Sequence, residues 1–352
     1  MSRKVLVAGV QGVIGRAAAL HFAGQPDTEV IGLSRRTEPA VPGISILSVD
    51  LLQPGQVREQ LSAVKDVTHI VFGAYIEKPT AAEKSQFNVA ILRNLLDVVE
   101  ESSPSLRHIT FYQGGKAYGA DLGPFRTPAR EDDPRLMPPN FYYDQEDLLR
   151  ARQVGKSWSF TALRPEAVCG FAIGNPMNLL TVIAVYASIS KELGIPLRFP
   201  GTLAAYQALY QVSSADILAQ AAGWAGDEPG AANQIFNLTN GDYFRWQHLW
   251  PKIAKMFSMD WADPIPMPLA SYMADKAPLW DSMVAKYGLQ PNAYDAIVSW
   301  PFGDFIFASG FDNISSTIKA RQAGFHACID TEEMFRRQLR ALSDDRVIPP
   351  IG

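Results

Sequence analysis

The sequence is poor in the residues that hold metals, disulfides and polyanions. Two cysteines, Cys169 and Cys328, stand in 352 residues, too few for a disulfide framework or a thiolate metal site. Five histidines (His21, His69, His108, His248, His326) occur singly, without ligand spacing, so no metal is expected. Positive charge is not in excess either: 32 Lys and Arg face 36 Asp and Glu, a net charge of −4. A nucleic-acid partner or an anionic membrane surface would ask for the opposite balance. No apolar run reaches the roughly 18 residues that a membrane span needs. The longest, around Leu179 to Ile189, is broken by Thr181 and Ser188 and reads as a buried helix. The opening MSRKVLVAGV lacks the apolar stretch and cleavage site of a secretion signal. A cytoplasmic protein with reduced thiols is the expectation.

What is present suffices for a large core. Hydrophobic residues make up 47% of the chain and charged residues 19%, and the 25 prolines are scattered instead of forming a linker. The length suits one large domain with a cap, or two domains. Lys4–Ala8, Glu29–Ser34, Ile44–Val49, His69–Ala74, His108–Gln113 and Ser159–Arg164 read as strands, nearly continuous in apolar residues. Such runs mark parallel strands buried on both faces. Ile14–Ala23, Gln56–Ala63, Ala81–Glu101 and Tyr143–Gln153 read as the helices between them. This alternation predicts an α/β fold, a doubly wound parallel sheet of Rossmann type. Beyond about residue 165 the regularity weakens. Helices are expected over Asn178–Glu192 and Ser213–Trp224, a strand over Gln234–Leu238, and from Gly241 a segment rich in Trp, Met, Phe and Pro. Residues 1–168, with about 205–240 returning, therefore read as a dinucleotide-binding domain. About 169–204 and 241–352 read as a smaller, mostly helical substrate-binding lobe.

Between the first strand and first helix stands Gly9-Val10-Gln11-Gly12-Val13-Ile14-Gly15. Gly9 permits the tight turn, Gly12 lets backbone approach a pyrophosphate, and Gly15 lets the helix pack on the strand. Val13 and Ile14 open that helix, whose free N–H groups receive the phosphate. The second strand ends in Ser34-Arg35-Arg36, where an NAD enzyme usually carries an acid. A hydroxyl and two guanidinium groups suit the 2′-phosphate of NADP instead, so NADPH/NADP+ is the expected cofactor. Asp50, followed by Leu51 at the end of the third strand, is a candidate for the adenine amino group.

Short-chain dehydrogenases place Tyr and Lys four apart on one helix face, the ammonium lowering the phenol pKa. The YxxxK match here, Tyr272 to Lys276, falls deep in the second lobe and reads as chance. In the expected region, Gln113-Gly114-Gly115-Lys116 closes the fifth strand and Asn140-Phe141-Tyr142-Tyr143 opens a helix. Four residues after Tyr142 stands Glu146, not Lys. Lys116 could supply the ammonium from a different segment.

The combination of GxxGxxG, SRR, DVTH, GGKAYG with GPF, NFYYDQED, LRP, TNGDYFRW and WPFGD resembles the progesterone 5β-reductase/iridoid synthase-like family, atypical extended short-chain dehydrogenases, over nearly the whole chain. The resemblance implies NADPH-dependent 1,4-reduction of the C=C bond of α,β-unsaturated carbonyls. It implies Tyr142 and Lys116 as the catalytic pair, both also against the cofactor with Gln113. It implies Phe125 and Phe302 in the substrate pocket, whose wall further takes in Tyr143, Ala167 and Gln211. Ala167 and Gln211 depart from the family pattern, as do Glu166 beside Ala167 and a longer Lys116-to-Phe125 segment, so the family's steroid or terpenoid substrates are not carried over. The expected partner is a small apolar unsaturated carbonyl, and a homodimer is left open. Two other readings remain: a carbonyl (1,2) reductase or sugar-nucleotide epimerase on the same scaffold, and a non-catalytic NADPH-binding sensor.

Overall fold

The computed structural model describes residues 3–37, 40–174 and 177–352. The strands are β1 (Arg3–Ala8), β2 (Thr28–Ser34), β3 (Ser45–Ser48), β4 (His69–Phe72), β5 (His108–Tyr112), β6 (Ser159–Pro165) and β7 (Ala167–Cys169). They continue with β8 (Leu197–Arg198), β9 (Leu209–Tyr210), β10 (Val212–Ser214), β11 (Gln234–Leu238), β12 (Phe244–Arg245) and β13 (Trp261–Ala262). Seven of them, in the order β11-β6-β5-β4-β1-β2-β3, form one sheet in which every pairing is parallel. The seven strand patterns in the sequence are these seven strands. The rest pair two by two at the margin.

Helix starts follow the chemistry of their caps. α1 (Val13–Ala23) begins at Gly12, and α2 (Pro54–Leu61) opens on a proline, whose missing N–H has no partner to lose there. α3 (Ala81–Ser102) is launched by a capping box between Thr80 and Glu83. α4 (Phe141–Gln153), α5 (Leu179–Glu192) and α7 (Ala215–Asp227) are capped by the side chains of Asn140, Asn178 and Ser214. Between them lies the short α6 (Leu203–Gln207). The C-terminal part is helical, as expected: α8 (Trp246–Met256), α9 (Leu269–Tyr272), α10 (Ala277–Tyr287), α11 (Tyr294–Ile297), α12 (Trp300–Phe307), α13 (Ile318–Gln322) and α14 (Thr331–Asp344). Among the described residues, no helix is long and apolar enough to cross a membrane.

Strand alternation divides the core. Leu6 and Ala8 of β1 face Leu92, Leu95 and Leu149 of α3 and α4, while Val5 and Val7 face Ala18 and Phe22 of α1 and Ile217 of α7. A third core belongs to the C-terminal lobe. There Phe199, Trp246, Trp250 and Phe307 stack with ring centroids 5.1–5.9 Å apart. Ala320 and Phe325, late in the chain, return to the face of the sheet that α1 and α7 cover. All seven strands run the same way, so the turns after β1, β4, β5 and β6 meet at one edge.

Gly15 makes the tightest backbone contact at that edge. A Cβ there would lie 2.1 Å from the Gly9 carbonyl oxygen, backbone against backbone. Gly15→Ala is expected to destabilise the protein by about 1–3 kcal/mol in urea unfolding. Gly24→Ala, whose Cβ would meet nothing closer than 3.6 Å, should be near neutral.

Candidate active site

The turn after β1 has the shape that its glycines imply. Gly9 has φ +78°, and a Cβ on it would lie 2.9 Å from the Gly73 carbonyl and the Ala74 nitrogen beyond β4. The Gly9 carbonyl receives the Gly12 N–H at 2.9 Å, which leaves the first N–H groups of α1 pointing out of the turn. At the end of β2 the Ser34 hydroxyl donates to Gln11 Oε1 (3.1 Å) and accepts from the Arg36 N–H (3.1 Å). Arg35 and Arg36 are exposed, and neither has a carboxylate partner among the described residues. The Asp50 Oδ1 accepts the Leu52 N–H at 3.0 Å, closing its own turn, and Leu51 is buried with its carbonyl held by Asn94 (2.8 Å). The backbone donors of the glycine turn and two exposed guanidinium groups, without a carboxylate partner among the described residues, fit a phosphorylated dinucleotide.

Tyr142 lies on the first turn of α4. A Cβ on Gly114 would be 3.1 Å from its hydroxyl oxygen, so the phenol rests on bare backbone just beyond β5. The tight turn Gly115–Tyr118 carries Lys116. That turn is tied to α4 twice: Asn140 Nδ2 donates to the Lys116 carbonyl (3.2 Å), and the Tyr143 hydroxyl donates to the Ala117 carbonyl (2.8 Å). The structure thus brings Tyr142 and Lys116 to the same strand end, although they lie on separate segments. The rings of Tyr75, Phe141 and Tyr142 stack in sequence, at 5.3 and 4.1 Å, and the Tyr75 hydroxyl donates to Glu77. Burial, then Asp121, Glu166 and Glu77, push the Tyr142 phenol well above its ordinary pKa. That shift favours the protonated phenol.

The missing lysine of α4 has a structural reason. Glu146, one turn after Tyr142, points inward and is 3% exposed. It meets Arg164 of β6 at 3.6 Å, Arg150 at 2.8 Å and Arg135 at 3.2 Å. Gln113 joins the same network. Its amide donates to the Tyr142 carbonyl (2.9 Å) and Glu146 (3.2 Å), and its carbonyl accepts from Arg164 Nε (2.6 Å). The Gln113 side chain is thereby committed to holding α4. A lysine in place of Glu146 would set two buried cations together.

The expected pocket residues separate into two groups. Phe125 and Phe302 are half-buried near this end of the sheet, Phe125 against Phe311 (6.1 Å) and Phe302 against Phe305 (6.4 Å). Tyr143 is 4% exposed, its hydroxyl spent on Leu136 N (3.1 Å) and Ala117 O. Gln211 is 1% exposed, with its amide on Thr239 and its carbonyl on the Ser315 N–H. Tyr143 and Gln211 are thus buried with their polar atoms hydrogen-bonded within the protein, while Ala167 on β7 packs against the C-terminal core. Phe305 was not anticipated: its ring lies 5.2 Å from the Lys116 ammonium, a cation–π contact from the second lobe. It follows Phe302 by three residues, a helical spacing that was the available signal. Tyr272 and Lys276 do not share a helix, since α9 ends at Tyr272 and Lys276 caps α10.

Glu166, marked in the sequence only as a departure from the family pattern, has a structural part here. It follows β6, is 5% exposed, and receives the Ser315 hydroxyl on Oε1 at 2.5 Å. A Cβ on Gly115 would lie 2.9 Å from its Oε2, so the carboxyl supports the turn that carries Lys116. Burial raises its pKa from 4.5 to about 7, a rise that the Ser315 bond only partly offsets. A carboxyl held protonated in the folded state contributes stability that is full below about pH 4.5 and is lost as pH rises through about 7. Between pH 5 and pH 8 the wild-type protein should lose up to about 3 kcal/mol more stability than Glu166→Gln. Equilibrium unfolding of both proteins across that range measures it, and parallel curves would contradict the assignment.

A family model for the PRISE-like Rossmann-fold domain matches residues 35–341. The (S)-8-oxocitronellyl enol synthase of Nepeta racemosa is 33% identical over 98% of this chain and 91% of its own length. The 3-oxo-Delta(4,5)-steroid 5-beta-reductase of Arabidopsis thaliana is 31% identical over 98% of this chain and 92% of its own. Among solved structures, a UDP-glucose 4-epimerase superposes with a TM-score of 0.70 at 14% identity, covering 97% of this chain and 98% of that one. The Bordetella bronchiseptica enzyme WbmG, solved with NAD, gives 0.67 at 15% identity, with coverage of 99% and 96%. At that identity the structural likeness speaks for the fold alone. With the glycine turn, the SRR strand end and the Tyr142–Lys116 arrangement, the full-length match makes this chain a member of the PRISE-like Rossmann-fold family.

Proposed function

We propose that this protein is an NADPH-dependent reductase of the C=C bond in α,β-unsaturated carbonyl compounds. One observation carries the reading: the Tyr142 hydroxyl lies on the bare backbone of Gly114, while Lys116 comes from the adjoining turn and Glu146 occupies the usual lysine position. The family membership and the reductase and enol synthase relatives support it. Residues 1–168 with about 205–240 would hold the cofactor, and the remainder would enclose the substrate. The turn of Gly9, Gly12 and Gly15 with Val13 and Ile14 would hold the pyrophosphate. Ser34, Arg35 and Arg36 would hold the 2′-phosphate, and Asp50 and Leu51 would bound the adenine.

The cofactor, held by the residues just named, would supply a hydride to the substrate's β-carbon. The protein's own task is to stabilise the negative charge that then develops on the carbonyl oxygen. Tyr142 is suited to it, because its environment keeps the phenol protonated and so able to donate a hydrogen bond to an enolate. Lys116 would hold the nicotinamide ribose. Phe125, Phe302, Phe305 and Phe311 would exclude water and select an apolar substrate. Ketone reduction instead needs a proton delivered to an alkoxide, and the lysine that usually serves it one turn after the tyrosine is replaced by Glu146. The epimerase-like neighbours share the fold at 14–16% identity, which does not argue for their chemistry.

Incubation with NADPH and 2-cyclohexenone should give the saturated ketone. Allylic alcohol would point to 1,2-reduction, and cofactor binding without turnover to a sensor. Tyr142→Phe should lower kcat by about 10²–10³, the usual effect of losing one such donor. NADPH affinity, read by the fluorescence of the bound cofactor, should change little.

A further inference from the structure

After β7 the chain crosses the cofactor groove as a strap, residues 170–174, pinned at both ends. At its start, a Cβ on Gly170 would lie 2.9 Å from Val13 Cγ1 on α1 and 2.6 Å from the Ala215 Cβ. The Gly170 carbonyl is held by Asn178 Nδ2 at 2.8 Å. Phe171 carries the Arg16 guanidinium over its ring at 5.2 Å, and Ala172 is buried against Val13 and Ala215. At the far end Gly174 adopts φ +72°, and its N–H donates to the Ala296 carbonyl of α11 at 2.8 Å.

The contact of interest is with Arg36. The space that a Cβ on Gly174 would fill lies 2.9 Å from Arg36 Nη2, 3.1 Å from Nη1 and 3.4 Å from Cζ. The guanidinium therefore packs against the bare Gly174 backbone, and it has no carboxylate partner among the described residues. The exposed guanidinium is open to an anion that it can take bidentately, and the missing side chain at position 174 leaves it room against the strap.

We propose that Gly174 is a specificity-determining residue for the cofactor, the strap forming the second half of a 2′-phosphate site whose first half is Ser34, Arg35 and Arg36. This rests on the NADPH reading above. Any side chain at position 174 would displace the Arg36 head group, and the left-handed backbone there disfavours one as well. The strap also joins phosphate recognition to the substrate side: Ala296 lies in α11, which leads into α12 with Phe302 and Phe305.

The test uses the full-length protein and calorimetric titration with NADPH, NADH, adenosine 2′,5′-bisphosphate and 5′-AMP. Gly174→Ala is expected to weaken NADPH and the bisphosphate tenfold or more, with NADH and 5′-AMP within about twofold of wild type. Arg36→Ala serves as the reference for loss of the phosphate contact. If Arg36→Ala removes the preference for NADPH and Gly174→Ala keeps it, or weakens all four ligands alike, the role of the strap is overturned while the NADPH reading stands. If the wild-type protein binds NADPH and NADH equally, the phosphate reading fails, and this inference with it. Should Gly174→Ala not fold, Gly174→Asn, which tolerates the left-handed backbone, carries the same expectation.

Discussion

The buried junction of Arg164, Glu146 and Gln113 is the constraint from which the rest of the site follows. A guanidinium and a carboxylate, 4% and 3% exposed, persist inside a protein only when each is paired and hydrogen-bonded. Gln113 completes that pairing and, with its remaining donor, holds the carbonyl of Tyr142. The first turn of α4 is thereby fixed against the ends of β5 and β6. The same junction excludes a lysine one turn after Tyr142, so a cation beside the phenol has to come from elsewhere. In the proposed reading the turn after β5, which carries Lys116, supplies it. The absence of a lysine one turn after Tyr142 follows from this junction, whereas the raised pKa of the phenol has a separate origin, burial first and then Asp121, Glu166 and Glu77.

The second lobe completes the site. Phe305 covers the Lys116 ammonium, Phe311 meets Phe125, and Ser315 donates to Glu166, which in turn supports the Lys116 turn. The first three of these contacts join residues more than 100 positions apart. The lobe has its own aromatic core around Trp250, yet Ala320 and Phe325 pack under the sheet, so the two parts are interleaved. In the proposed reading these aromatic rings over a backbone-lined strand end would suit a substrate with one carbonyl oxygen to orient and otherwise little to hydrogen-bond.

Much of the fold was legible in the sequence, because parallel strands buried on both faces leave continuous apolar runs, as KVLVA and HITFY do. The caps at Thr80, Asn140, Asn178 and Ser214 are local chemistry and sit where helices begin. Tyr142 and Lys116 could be picked out because each stands beside a recognisable turn or helix start. The pocket wall was less legible. Tyr143 and Gln211 are turned into supporting hydrogen bonds, and Phe305 and Glu166 face the site in ways that no neighbouring residue announces.

By itself, then, the sequence determined the apolar runs of the parallel strands, the glycine turn, the Ser34-Arg35-Arg36 strand end and the absence of a lysine one turn after Tyr142. All of these are set by residues within a turn or two of one another. Only the tertiary structure decided which way Gln113 and Glu146 point, that Glu166 is buried beneath the Lys116 turn, and that Gly174 sits on Arg36. Burial and ion pairing depend on what arrives from distant parts of the chain, and that information is absent from any local stretch of residues.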